Sequence, residues 1–315
     1  MTDEPTLFEI PLVKLLGVTR SMIDQDIVKA RGEIEDLSDM YPHHPHIDRE
    51  KRIVFYIHEA LETGGTPAEF FKRFRAYRKL LQELTYAPTY AIQVEELFFQ
   101  RIIMAFGDEP PQPVYGFPIG YLLLKAGMFE EAGQSLEEEA SVPSLPSRAR
   151  ARLIGYLGDL FSMMGDEPEA RKKYLEALLI DWRGIDVDNI VDEDVKALVS
   201  GSYVPEGHGG IWAASVGAML LILPRTDFAD SDEVLRFSKG FLALKTAYKK
   251  DENEDVAGKL FYYALVIAEN EPLFRSLKDA DVLELRKLMR RLNASLFRLY
   301  TKINLSSTRD AEDKS

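Results

Sequence analysis

Glycine and alanine recur at matching intervals in two neighbouring stretches of this chain: Gly120, Gly127 and Ala132, then Gly158, Gly165 and Ala170. Both sets have spacings of seven and five residues. Small residues are needed where two helix backbones cross closely, and glycine is needed where a helix ends with a positive backbone angle. The pattern therefore constrains the chain to a helix-turn-helix hairpin made twice. In the second hairpin Gly158 and Ala170 supply the close crossing and Gly165 the turn. Leu157, Phe161, Tyr174, Ala177 and Leu178 place large apolar groups at helical spacing on the inner faces.

Apolar residues recur at spacings of three and four from about Ser21 onward, and no series of alternating strands occurs, so the expected fold class is all-α. Met22, Ile23, Ile27, Ile34 and Leu37 form one stripe, closed by Pro42 to Pro45. Ile53, Ile57 and Leu61 form another, closed by Gly64 and Gly65. Thr66 is placed to cap a third helix with Pro67 in its first turn, where a missing amide hydrogen costs little. That helix runs to about Tyr86, and after Pro88 a fourth spans Thr89 to Phe106. Pro110, Pro111 and Pro113 exclude a helix across 107–116, which reads as a joint. Beyond the paired hairpins, Ile211 to Leu223 reads as a buried helix, apolar on nearly every side and ended by Pro224. Three more helices are expected near 232–248, 255–269 and 280–303. The organisation is an N-terminal segment over 1–20, helical hairpins over 21–109, the paired hairpins over 113–184, a helical region over 185–304 and a disordered tail over 305–315.

The second hairpin, Ala151 to Gly184, resembles the tetratricopeptide repeat. Leu157, Gly158, Phe161, Gly165, Ala170, Tyr174, Ala177 and Leu178 stand where that repeat places their residue types, with Trp182 at its usual terminal proline. The first unit, about 113–146, keeps Ile119, Gly120, Leu123, Gly127 and Ala132 but has Glu139 at a usual alanine. Gly120 to Gly158 is an offset of 158 − 120 = 38 residues, about four longer than the typical period. The resemblance implies antiparallel hairpins stacked as an α-solenoid, a right-handed superhelix, with the flanking helices completing the stack. It also implies a scaffold or adaptor that holds a peptide or partner helix in a concave groove, rather than an enzyme.

Carried over residue by residue, that groove would be lined by Tyr121, Leu124 and Lys125 from the first unit. The second would contribute Arg152, Gly155, Tyr156, Asp159, Ser162 and Met163. Repeats that clamp a terminal carboxylate use lysine and asparagine at the positions of Gly155 and Asp159, so this chain departs from that receptor type. The expected ligand surface suits apolar or aromatic side chains, oriented by Arg152 and Asp159. Filling of the groove by later helices is the competing expectation, and pairing of the array with itself is a further one.

Charge narrows the partners. With 52 acidic and 39 basic residues the chain carries −13, which repels nucleic acid and anionic lipid at long range, so nucleic acid is disfavoured as a partner. Cysteine is absent, excluding disulfides, thiolate metal sites and cysteine nucleophiles and suiting a reducing cytosol. Asp3 and Glu4 stand where a secretory signal would carry positive charge, and the apolar run before Pro224 is too short to cross a bilayer. The expectation is a cytoplasmic chain with no membrane insertion.

Three other clusters bear on chemistry. His43, His44 and His46 lie in a proline-flanked turn with His58 on the next helix, so a metal or catalytic site around His43, His46 and His58 is an alternative reading. Adjacent loop histidines rarely converge unaided at the roughly 2 Å that ligation needs, and an exposed turn is favoured. His58 and Glu59 lack the second histidine of a zinc-protease helix, which would stand at Glu62, and the loop at Gly207, His208, Gly209 and Gly210 lacks the lysine of a phosphate cradle. No cofactor is expected. The acidic run from Asp186 to Asp194 puts Ile190 and Val191 where a calcium loop needs a ligand and glycine, and a dipole-favoured helix start explains Asp192, Glu193 and Asp194. The basic helices 69–84 and 280–303 offer a nucleic-acid alternative. In the first of them, however, Phe70, Phe74 and Tyr77 share a face and are expected in the core, with Lys72, Arg75, Arg78 and Lys79 in solvent.

Overall fold

The computed structural model describes residues 9–203, 209–226, 228–274 and 281–312, with side chains over 11–303. Among these residues every regular element is helical, and the only β feature is an isolated bridge between Val114 and Phe117. Among the described residues no helix is long and apolar enough to cross a membrane. The chain divides into two compact units, Met1–Leu136 and Glu137–Ser315. The boundary lies later than the proline-rich joint read from the sequence. The proline stretch belongs to the first unit because Tyr115 and Phe117 pack their rings on Phe71, at centroid distances of 5.3 and 5.5 Å.

The first unit contains α1 (Glu9–Ile23), α2 (Ile27–Met40), α3 (Pro45–Glu62), α4 (Pro67–Glu83), α5 (Ala91–Met104), α6 (Ile119–Lys125) and most of α7 (Phe129–Ala140). Local chemistry starts these helices. Asp26 accepts from the Lys29 amide to cap α2, and Thr66 and Glu69 form a reciprocal capping box at α4 with Pro67 in the first turn. Arg73 donates to the carbonyls of Ala60, Thr63 and Gly64, so a basic residue of α4 closes the C-terminus of α3. The inner faces bury Ile34, Ile53, Ile57, Phe70, Phe74, Tyr77 and Phe98. α1 was not separated from the N-terminal segment in the sequence; it buries Leu15, Val18 and Met22 and leaves Leu12, Val13 and Leu16 exposed.

The second unit continues with α8 (Ser147–Met163), α9 (Glu167–Asp181), 3-10 turns at Trp182–Gly184 and Val187–Asn189, and α10 (Glu193–Ser200). A 3-10 turn at Gly210–Trp212 leads into α11 (Ala213–Met219), followed by α12 (Ser231–Lys250), α13 (Glu254–Glu269), α14 (Glu271–Phe274), α15 (Val282–Leu292) and α16 (Ala294–Glu312). α13 is apolar around most of its circumference, burying Leu260, Phe261, Ala264, Leu265 and Ile267, and forms the centre against α11, α12 and α15.

Three expectations are corrected. The apolar helix before Pro224 is buried as expected but stops at Met219, because the amides of Ile222 and Leu223 turn back to the Gly217 carbonyl. A side chain at 217 would stand 2.6 Å from Leu223, so the glycine admits that fold-back. The helix read over 280–303 is two helices: Asn293 ends α15, and its side chain accepts from the Leu296 amide to start α16. α16 then continues to Glu312, through most of the stretch read as a tail. The loop reading at Gly207 and His208 lies outside the described residues.

Candidate partner-binding site

The repeated pattern performs the roles its spacing implies. Gly127 and Gly165 adopt φ of +77° and +80° at the ends of α6 and α8, where a side chain would be strained. A Cβ on Gly120 would lie 2.5 Å from Leu136, and one on Gly158 would lie 2.7 Å from the Tyr174 ring. Glycine at both places lets the two helices of each hairpin close, and Ala132 and Ala170 are fully buried in the seams.

The residues assigned to the groove divide between the two units. In the first, Tyr121 and Leu124 are 4% and 1% exposed, with the Tyr121 ring stacked on Phe117 at 4.7 Å and edge-on to Phe99. Lys125 is ion-paired to Glu95 at 3.2 Å with both side chains mostly covered. Tyr121 and Leu124 are core residues there, which corrects the expectation that they present an open ligand surface. The Tyr121 ring joins the aromatic cluster of α4, α5 and the Tyr115–Phe117 turn, and the seven-residue helix packs on α5.

In the second unit the expected face of α8 carries the chain's own next segment. Tyr156 and Asp159 are 2% and 4% exposed. The Tyr156 hydroxyl donates to Asp186 at 3.0 Å, and Asp159 Oδ1 accepts from both the Tyr174 hydroxyl at 2.6 Å and the Val191 amide at 3.0 Å. Ile185 and Ile190 are buried at the two ends of this strap, and Gly155 lies beneath it, where a Cβ would meet Ile185 at 3.9 Å. Burial, with the charge of Asp159 and the hydrogen bond to it, pushes the Tyr174 hydroxyl pKa well up. Residues 185–191 thus fill the middle of the face, the competing expectation with a strap in place of a helix. Arg152 and Met163 stay exposed at its ends, and Ser162 is half-buried.

Sequence reasoning missed Ile185, Asp186, Ile190 and Val191 as the occupants of that face. Their signal was present: two isoleucines bracket an otherwise acidic run, and apolar residues there have no use in a solvated loop. Its acids have structural duties. Asp192 caps α10 through the Asp194 and Val195 amides and pairs with Arg171 at 2.9 Å, and Asp194 joins Arg171 at 3.4 Å. The helix-start reading of Asp192, Glu193 and Asp194 therefore holds.

The histidines meet arginines rather than carboxylates. His58 Nδ1 lies 2.9 Å from Arg31 and His46 Nδ1 3.2 Å from Arg49, while His43 is exposed in a left-handed turn. Among the described residues no three His, Cys, Asp or Glu gather as a metal-binding set. Of the basic helices, α4 buries Phe70, Phe71, Phe74 and Tyr77, leaving Lys72, Arg75, Arg78 and Lys79 exposed as expected. α15 likewise buries Leu285, Leu288 and Met289 and exposes Arg286, Lys287, Arg290 and Arg291.

A buried polar knot in the first unit escaped the sequence reading. Glu50 is 5% exposed and accepts from the Tyr90 hydroxyl at 2.5 Å. Arg49 stacks over the Tyr86 ring at 3.7 Å. Desolvation and the Glu50 hydrogen bond push Tyr86 up to about 12. Glu50 sits on the inner face of an otherwise apolar stripe, which pattern reasoning reads as a tolerated mismatch.

No protein family, curated protein or solved structure matches this chain.

Proposed function

We propose that this chain is a non-catalytic interaction scaffold, built on tetratricopeptide-like hairpins, that holds a peptide or helix of a partner protein. The observation that carries the reading is the strap on α8. That helix face already accepts a short segment built around a 3-10 turn, with the Val191 amide on Asp159 and buried isoleucines at 185 and 190. A surface that satisfies a backbone donor and two apolar anchors has the chemistry of peptide recognition. With its middle occupied, the face would receive a partner at its exposed ends, through Arg152 at one and Ser162 and Met163 at the other. Methionine suits an adaptable apolar contact, and arginine an orienting one.

The test is affinity capture from a native cell extract with the wild-type chain and an Arg152→Glu, Met163→Glu variant of equal helical content by circular dichroism. A protein retained by the first and lost from the second supports the reading. Retention of the same proteins by both, or of none by either, refutes it.

A further inference from the structure

Within the second unit, α9, residues 224–226 and α13 enclose an open groove of about 700 Å³. That volume is in the range of small-ligand sites. Leu175 and Leu179, one helical turn apart on α9, form its floor with Ile180 and Pro224. The Tyr263 ring completes one wall and is held by stacking on Phe237 at 4.2 Å and 18°. The Tyr263 hydroxyl has no hydrogen-bond partner among the described residues, whereas the neighbouring Thr226 hydroxyl is taken by Tyr262 at 2.8 Å.

Among the described lining residues the polar side chains are two cations, Lys172 and Arg225, one carboxylate, Glu176, and the hydroxyls of Thr226 and Tyr263. Arg225 is fixed rather than floppy: Nε donates to the Ala218 carbonyl at 3.3 Å and Nη1 pairs with Glu269 at 3.2 Å. The Glu269 carboxylate, 15% exposed, anchors the more open guanidinium, and burial raises its pKa against the opposing pull of Arg225. Lys172 is shared with Glu169 at 2.9 Å. Both cations are thus partly committed, which suits one negative charge and not a polyanion.

We propose that this groove binds an amphipathic monocarboxylate, its apolar chain on Leu175, Leu179, Pro224 and the Tyr263 ring, and its carboxylate on Arg225, the Tyr263 hydroxyl and Lys172. The site is separate from the α8 face and stands or falls independently of the scaffold reading.

Titration calorimetry with decanoate, kept below its micelle concentration, tests it, with decyltrimethylammonium as the probe of opposite charge. The expected result is saturable decanoate binding at one site and binding of the cation at least about tenfold weaker. Arg225→Gln combined with Glu269→Gln removes the fixed cation without stranding its half-buried carboxylate, and should weaken decanoate about tenfold. Exposed Lys172→Gln gives a second variant that leaves the core untouched, and should weaken it about threefold. The proposal is overturned if the wild-type chain shows no saturable decanoate binding. It is equally overturned if both probes bind alike, or if either folded variant binds decanoate as the wild type does.

Discussion

Replacing Asp159 by alanine should cost the second unit about 3–4 kcal/mol, because it strands two donors that share one oxygen. Tyr174 is fully buried and donates to Asp159 Oδ1 at 2.6 Å; the Val191 amide donates to the same atom at 3.0 Å. An unsatisfied buried donor costs about 1–3 kcal/mol, so two give a loss near the middle of the summed range. Against a typical total of about 5–15 kcal/mol this is a large fraction. With a urea slope of about 2 kcal/mol/M, the unfolding midpoint should fall by about 1.5–2 M. Asp159→Asn keeps an Oδ1 acceptor for both donors and should cost no more than about 1 kcal/mol. Urea unfolding followed by circular dichroism measures both variants, and hydrogen exchange at the Val191 amide reports whether the strap has lifted. Equal destabilisation by Ala and Asn would refute the argument, as would an alanine variant within about 0.5 kcal/mol of wild type.

Gly158→Ala forces a methyl to within 2.7 Å of the Tyr174 ring and should destabilise the unit by about 1–3 kcal/mol in the same urea assay, by overpacking. Gly165→Ala meets no atoms but sits at φ +80°, and should cost about 1–2 kcal/mol through backbone strain alone. Thr66→Ala loses a capping box and should lower stability by about 1 kcal/mol, read as a drop in melting temperature. Burial pushes the Tyr86 and Tyr262 hydroxyls from the ordinary 10 up to about 12. The folded state then holds protons that the unfolded chain releases, so stability is full below pH 10 and falls as pH rises towards 12. Absorbance at 295 nm against pH should show these phenols ionising late and together with unfolding; early ionisation of all tyrosines in a folded chain would contradict it.

The helical class, the capped start of α4 and both glycine turns were legible because each follows from local chemistry. Thr66, Gly127 and Gly165 act on their immediate backbone, and that information lies within a few residues of each. The site was less legible because exposure is a tertiary property. Tyr121 and Tyr156 occupy the repeat positions expected of a groove, yet aromatic packing around Phe117 covers one and the strap at Asp186 covers the other. Asp186 lies 30 residues from Tyr156, and Phe117, although only four residues before Tyr121, lies outside α6 in the turn that precedes it. The break at Asn293 was missed for a different reason. Apolar spacing runs on through it, and only the side-chain cap on Leu296 marks the new start.

The scaffold reading is tested most directly by asking what touches the exposed end of α8. The chain has no cysteine, so a single Met163→Cys substitution carries a photocrosslinker at one position, and Leu221→Cys, 66% exposed in wild type, serves as a surface control. Illumination in native extract, followed by mass spectrometry of the adducts, should give one partner protein joined at position 163 and absent at 221. No adduct at 163, or the same adducts in equal yield at both positions, would contradict a partner site on this face.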